Sequence, residues 1–182
     1  DALLANHRRE AGGYTLSPAS LATIPAGTRI VLPSPNGSTL SVSTGATPTL
    51  AGCLRNAQTV AAAARTFGER IAVVPAGERW RDGSLRPAWE DWVGAGAIIA
   101  HLPGAHSPEA AAALAAFMAA RDNLAAWMRG CSSGKELIED GFAQDVELAA
   151  ALNASRVAPR LHLGAYRAGA TYDLAADVAD RA

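Results

Sequence analysis

Segments typical of strands alternate with segments typical of helices along this chain, which limits the folds that it can adopt. Residues 28–32 and 70–75 are short apolar runs bounded by turn residues, as buried strands are. Residues 57–67 and 90–101 have the length and the composition of helices. Such alternation is typical of α/β domains. We therefore predict a three-layer α/β/α sandwich with a mostly parallel sheet.

The chain of 182 residues has the length of one domain, and no repeat or low-complexity linker divides it. We expect a single α/β domain over residues 1–166, followed by a weakly patterned tail over 167–182. Ser107, followed by a proline and a glutamate, predicts a helix start. Further expected elements are strands at 49–54 and 157–163, short helices at 135–140 and 144–152, and a helix cap at Asn56.

Charge and cysteine usage exclude several classes of partner. The net charge of −1 comes without a basic stripe, which argues against nucleic acid. The apolar stretches 93–100 and 110–120 are too short or too rich in alanine to span a bilayer. Cys53 and Cys131 are isolated in sequence, as is usual in a reducing compartment. We expect a cytoplasmic protein whose partner is a small anionic molecule, with no membrane contact.

A small polar segment follows the apolar run at 28–32. It contains Ser34, Asn36, Gly37 and Ser38. Open α/β sheets bind ligands beyond the carboxyl ends of their strands, and successive backbone amides there can form an anion-binding nest. The alternative is that Asn36 and Gly37 only form a tight turn, because both tolerate positive φ.

Acidic side chains stand at two predicted helix starts. Glu90 and Asp91 begin one helix, and Asp145 begins another. Taken singly, such acids complement the helix dipole, which is worth about 0.3–1 kcal/mol each. Taken together with an anion-binding turn, they resemble a site for a hard cation such as Mg²⁺, whose preferred ligands are carboxylate oxygens.

The sequence does not match other patterns that are associated with catalysis. Residues 130–136 resemble a phosphate-binding P-loop, but the spacing of the glycines fails and Glu136 replaces the hydroxyl residue that binds magnesium. The four histidines show no metal-ligand spacing. No Ser–His–Asp set is evident in the sequence, so nucleophilic serine chemistry is not supported.

Six short segments, taken in order, resemble the 2-phosphosulfolactate phosphatase family. Each is weak by itself, but their order along the chain is specific. The resemblance runs from about residue 7 to residue 164, and the segments are residues 9–18, 32–38, 54–61, 76–96, 133–146 and 157–159. Family members are magnesium-dependent phosphatases named from coenzyme M biosynthesis. The resemblance implies hydrolysis of 2-phospho-3-sulfolactate to 3-sulfolactate and phosphate.

The resemblance also implies roles for individual residues. Glu90 and Asp91 would hold Mg²⁺, and Asp145 would complete the catalytic set by ligating or orienting the metal. The implied substrate-binding residues are Ser34, Asn36, Gly37, Ser38, Asn56 and Arg79. Two alternatives stay open: a non-catalytic anion-binding module of the same fold, and a phosphatase for a different phosphorylated small acid.

The beginning of the chain departs from the family pattern. Family members start with a further strand and helix that carry an acidic residue, whereas residues 1–10 look like the interior of a helix. We expect this chain to lack that segment, to be a poor catalyst alone, and to be complemented by the missing segment or by a homo-oligomer.

Overall fold

The computed structural model describes residues 2–10 and 12–168. The helices are α1 (Pro35–Ser43), α2 (Ala57–Arg65), α3 (Trp89–Ile99), α4 (Pro108–Ala120), α5 (Leu124–Gly130), α6 (Ser132–Glu139) and α7 (Ala143–Ala150). The strands are β1 (Leu3–Leu4), β2 (Ile30–Val31), β3 (Glu78–Arg79), β4 (Leu85–Arg86), β5 (Pro159–His162) and β6 (Ala165–Ala168). Short 3₁₀ helices lie at Pro18–Leu21, Leu54–Asn56 and Arg121–Asn123.

The hydrophobic core lies among the helices. Ala61 of α2, Val93 and Ala97 of α3, Phe117 of α4 and Val146 of α7 are almost completely buried. Many of the core residues are alanines, which let helix backbones approach each other closely. The mixture of helices and strands agrees with the predicted α/β class, but the core is formed by helix–helix contacts.

Two glycines of α3 differ in what surrounds them, although both are buried. A Cβ on Gly96 would lie 2.0 Å from the carbonyl oxygen of Ala113 in α4, whereas a Cβ on Gly94 would meet nothing within 4 Å. Gly96 thus permits the close packing of α3 against α4.

Gly96→Ala is expected to destabilise the protein strongly, because the obstructing atom is backbone and α4 must move. We expect a loss of about 1–3 kcal/mol or more. Gly94→Ala is the matched control and should leave stability unchanged or raise it by up to about 1 kcal/mol through helix propensity. Urea unfolding of both variants measures the difference. Equal free energies of unfolding would show that the α3–α4 packing does not depend on Gly96.

The strands of the described region form three separate pairs, not one sheet. β1 and β2 pair in parallel, while β3–β4 and β5–β6 are antiparallel hairpins. The predicted three-layer sandwich with a mostly parallel sheet is therefore not seen among residues 2–10 and 12–168. Only one of the three pairings is parallel.

Residues 2–5 are extended, so the expectation of a helix at the start of the chain is wrong. The amide of Leu3 donates to Arg29 O (2.8 Å), and the amide of Ala5 donates to Val31 O (2.9 Å). Local composition favoured a helix, but pairing with the backbone of residues 29–31 fixes a strand. Of the strand predicted at 28–32, β2 retains Ile30 and Val31.

Two further predicted strands are not formed as expected. Residues 70–75 belong to no strand, and Val74 is 65% exposed. Residues 49–54 contribute only a bridge between Leu50 and Arg160, after which the chain turns into a 3₁₀ helix. The apolar pattern predicted a buried strand at 70–75, but residues 70, 72, 74 and 75 are exposed. A strand also requires a neighbouring backbone of matching length, which local sequence does not reveal.

The predicted helices and the last predicted strand are confirmed to within a few residues. α2, α3, α6 and α7 lie where they were expected, and the hydroxyl of Ser107 caps α4 by accepting from the amide of Ala110 (3.2 Å). β5 lies within the strand predicted at 157–163. Residues 167 and 168 of the predicted tail belong to β6, and the rest of the tail lies outside the described residues. In the described region, no helix combines the length and the apolar character needed to cross a membrane.

Candidate functional site

The predicted anion-binding turn is the first turn of a helix. Ser34 is the N-cap of α1, and Asn36, Gly37 and Ser38 lie in the following turn. The expectation of a nest or a tight turn is therefore wrong in its geometry. A helix start still presents unpaired backbone N–H groups and a positive dipole end, which favour a bound anion.

Asn36 joins the start of α1 to the β3–β4 hairpin. Its Nδ2 donates to Gly77 O (3.3 Å) and to Glu78 Oε2 (3.0 Å). These contacts place the start of α1 against the hairpin. Two segments that are about forty residues apart thus meet at one place.

Asp91, in the first turn of α3, also contacts Gly77 at the start of the hairpin. Its Oδ2 accepts a hydrogen bond from the amide of Gly77 (2.7 Å), which has a φ of 70°. Burial raises the pKa of the Asp91 carboxyl, and the negative charges of Glu90 and Glu78 raise it further, against the lowering effect of the Gly77 amide. The site therefore contains a partly buried carboxylate with other carboxylates nearby.

Glu90 points from α3 toward the start of α6. Its Oε2 lies 3.7 Å from the Sγ of Cys131. Cys131 is the N-cap of α6, and its Sγ accepts from the amide of Gly134 (3.4 Å). Burial raises the pKa of the Cys131 thiol, so the neutral form is favoured. The cap at this helix is therefore a cysteine side chain.

Arg86, at the end of β4, links the hairpin to α6. Its Nη1 and Nη2 donate to the two carboxylate oxygens of Glu136 (2.9 and 3.1 Å), and Nη2 also donates to Ser133 Oγ (3.3 Å). The guanidinium carbon lies 5.3 Å from the centre of the Trp80 ring. The hydrogen bond to Glu136 raises the pKa of Arg86, and the charges of Glu78 and Glu90 act in the same direction.

These contacts define one candidate site, which we call the hairpin junction. It consists of residues 77–86 together with the first turns of α1, α3 and α6. Three helix starts and several carboxylates meet there. Arg79 lies in the hairpin, where it is exposed and donates to Gly83 O (2.8 Å). The structure thus brings Asn36, Glu90, Asp91 and Arg79 to one region.

Asn56 is occupied by internal hydrogen bonds. Its Oδ1 accepts from the amide of Cys53 (2.8 Å), and its Nδ2 donates to Ala51 O (3.2 Å) and Val157 O (3.0 Å). The side chain does not cap α2, as the sequence led us to expect. These bonds hold three chain segments together, and Asn56 as a substrate-binding residue stays a prediction.

Asp145 lies in a different buried cluster. Its Oδ1 accepts from Ser17 Oγ (2.7 Å) and from the amide of Ala19 (3.2 Å). Arg8 Nε lies 3.4 Å from Asp145 Oδ2, a charge contact in which neither atom makes a hydrogen bond. No contact in the described region joins Asp145 to Glu90 or Asp91. These buried contacts give Asp145 a structural role. Its catalytic role stays a prediction.

A cleft lies beside the hairpin junction, and Gly77 and Leu85 of the hairpin form part of its lining. It has a volume of about 860 Å³ and lies between residues 69–75, α3 and α4. Its lining is largely apolar and includes Ile71, Trp92 and Ile99. None of residues 36–38 lines this cleft, and their role in binding an anion stays a prediction.

The hairpin junction offers few side chains that could hold a metal ion. Within the part of the chain that the structure describes, no group of three or more His, Cys, Asp or Glu side chains is arranged to hold a metal ion. Mg²⁺ does not require such a group, because it is commonly bound by one or two carboxylates together with waters and substrate phosphates. The hard oxygen donors of Glu90 and Asp91 fit this ion.

Sequence reasoning missed Glu78, Arg86, Cys131 and Ser133. Arg86 had a weak signal, because it stands shortly before the Glu90–Asp91 pair at the end of a polar loop. No signal in the sequence indicated the contact between Cys131 and Glu90, because this contact depends on how α6 packs against α3 in three dimensions.

Comparison with known protein families gives the family of this chain. The family model described as 2-phosphosulpholactate phosphatase matches residues 13–164, which is most of the chain. The chain belongs to this family. The family is one of phosphatases, and its matched region contains the whole hairpin junction and Asp145. A search of curated proteins finds no significant match.

Proposed function

We propose that the protein is a Mg²⁺-dependent phosphatase that converts 2-phospho-3-sulfolactate to 3-sulfolactate and phosphate, and that the hairpin junction is its active site. The family assignment supports the class of reaction. The observation that carries the location is the pair of bonds at Gly77: its amide donates to Asp91, and its carbonyl accepts from Asn36. The predicted acidic residues and the predicted anion-binding residues thereby meet.

Each residue has a chemical role in this proposal. Glu90 and Asp91 hold the cation, which, when bound, neutralises the charge of the phosphate. The first turn of α1, from the N-cap Ser34 through Asn36, Gly37 and Ser38, binds an anionic oxygen through the backbone amides of Asn36 and Gly37 and through a serine hydroxyl. Arg79 offsets part of the substrate charge. In the reaction, an oxygen from water becomes bonded to phosphorus, the bond from phosphorus to the alcohol oxygen breaks, and that oxygen takes up a proton.

The charge balance of the site favours a bound cation. Asp91 is partly buried, and Glu78 and Glu90 are close enough to raise its pKa. A substrate with phosphate, carboxylate and sulfonate groups would be repelled by these carboxylates alone. A divalent cation between protein and substrate removes that repulsion. We further propose that the protein is cytoplasmic and that its partner is this small acid.

The test is a phosphate-release assay on the purified protein with 2-phospho-3-sulfolactate, with added Mg²⁺ and with EDTA. We expect release with Mg²⁺ and little or none with EDTA. A panel of other phosphorylated small acids identifies the preferred substrate. If the protein binds these acids but releases no phosphate from any of them, it is an anion-binding module instead.

A further inference from the structure

The guanidinium of Arg86 is held in place more firmly than the carboxylate that it binds. The Arg86 side chain is 15% exposed, and the ring of Trp80 stacks near it. Glu136 is 58% exposed and lies in the last turns of α6. Because the Glu136 side chain is largely exposed, water can solvate its carboxylate when it leaves, and another carboxylate can keep the Arg86 charge paired.

The contact itself has the geometry of carboxylate recognition. Two guanidinium nitrogens each donate to a different oxygen of Glu136, which is the paired arrangement that makes arginine selective for planar acids. Ser133 Oγ lies beside the same guanidinium. The charges of Glu78 and Glu90 also raise the pKa of Arg86, so the guanidinium in turn acts on Glu90, one of the proposed ligands of the cation.

Resting on the proposed function, we propose that Arg86 and Ser133 form the subsite for the carboxylate of the substrate, and that Glu136 occupies this subsite when substrate is absent. The substrate carboxylate replaces the Glu136 carboxylate on the guanidinium. Arg86 thereby selects phosphate esters that carry a neighbouring carboxylate over simple phosphate esters. Glu136 competes with the substrate and weakens its binding.

The test compares 2-phospholactate with ethyl phosphate, which differs from it by lacking the carboxylate. Arg86→Gln should lower kcat/KM for 2-phospholactate at least tenfold more than for ethyl phosphate, because only the former loses a charge-assisted pair of hydrogen bonds. Arg86→Lys, which keeps the charge but not the paired geometry, should fall between wild type and Arg86→Gln.

Glu136→Gln separates this proposal from a purely structural ion pair. We expect KM for 2-phospholactate to fall about two- to fivefold, with kcat and the KM for ethyl phosphate nearly unchanged, because only a competitor is removed. Glu147→Gln is the matched control: Glu147 pairs with Arg129 on the exposed surface (2.6 Å), and its loss should not change either KM. An unchanged or higher KM for 2-phospholactate in Glu136→Gln would overturn the proposal.

The outcomes also distinguish this inference from the proposed function. If the wild type hydrolyses both esters and Arg86→Gln affects them equally, the carboxylate subsite is wrong and the phosphatase stands. If the wild type hydrolyses neither, the proposed function fails, and calorimetric titration with the same two esters decides the subsite. Equal loss of affinity for both esters in Arg86→Gln would then reject it.

Discussion

Asp91→Asn is expected to remove most Mg²⁺-dependent phosphate release without destabilising the protein at neutral pH. Loss of a ligand of the cation, or of a residue that positions it, should lower metal affinity or activity tenfold or more. An asparagine oxygen can still accept the hydrogen bond from the Gly77 amide, so the local fold is preserved. Steady-state assays across Mg²⁺ concentrations measure the change.

The stability of this variant should depend on pH in a defined direction. Burial raises the pKa of Asp91 above its ordinary value of 3.8, so the folded protein binds the Asp91 proton more tightly than the unfolded chain does. The ionised carboxylate therefore destabilises the fold above the raised pKa, and this cost disappears below about pH 3.8. We expect Asp91→Asn to melt at the same or a higher temperature than wild type at pH 7, and to lose that advantage in acid.

Asp122 supplies the control for both measurements. Its side chain is 88% exposed and pairs with the neighbouring Arg121. Asp122→Asn should change neither turnover nor the pH dependence of melting. If Asp91→Asn keeps wild-type turnover, Asp91 only complements the dipole of α3 and the hairpin junction is not the metal site. Glu90→Gln is expected to lose activity in the same way, with little change in melting temperature.

Asp145→Ala is expected to give a large loss of stability. The Asp145 side chain is 3% exposed, and its removal leaves Ser17 Oγ and the amide of Ala19 without their acceptor and Arg8 without its opposite charge. Breaking a buried ion pair costs about 3–5 kcal/mol, and because Arg8 is partly exposed we expect about 2–4 kcal/mol. Denaturant unfolding measures it.

Two companion variants separate the structural role of Asp145 from the catalytic role that the sequence predicted. Glu147→Ala, on the same helix but exposed, should cost less than about 1 kcal/mol. Asp145→Asn keeps an acceptor for Ser17 and should be milder than Asp145→Ala. If Asp145→Asn folds as stably as wild type but loses turnover tenfold or more, Asp145 is catalytic. Proportional losses of stability and activity would assign it to the buried cluster.

The amino-acid sequence by itself determined the family of this protein and most of its helices, although it did not reveal α1. Helical periodicity and capping are local properties: Ser107 begins α4 because its hydroxyl and the proline after it favour that start wherever the chain goes. Local sequence also identified Glu90, Asp91 and the 36–38 segment as residues that belong together, and the bonds at Gly77 show that two of these segments meet.

Only the tertiary structure decided which apolar segments became strands and which polar residues came together. Residues 70–75 have the composition of a strand, but pairing depends on another backbone, and in the described region they pair with none. Likewise, Arg86 meets Ser133 and Glu136 about fifty residues away only because the hairpin packs against α6. Pairing and packing join segments that are distant in sequence, so no local pattern contains them.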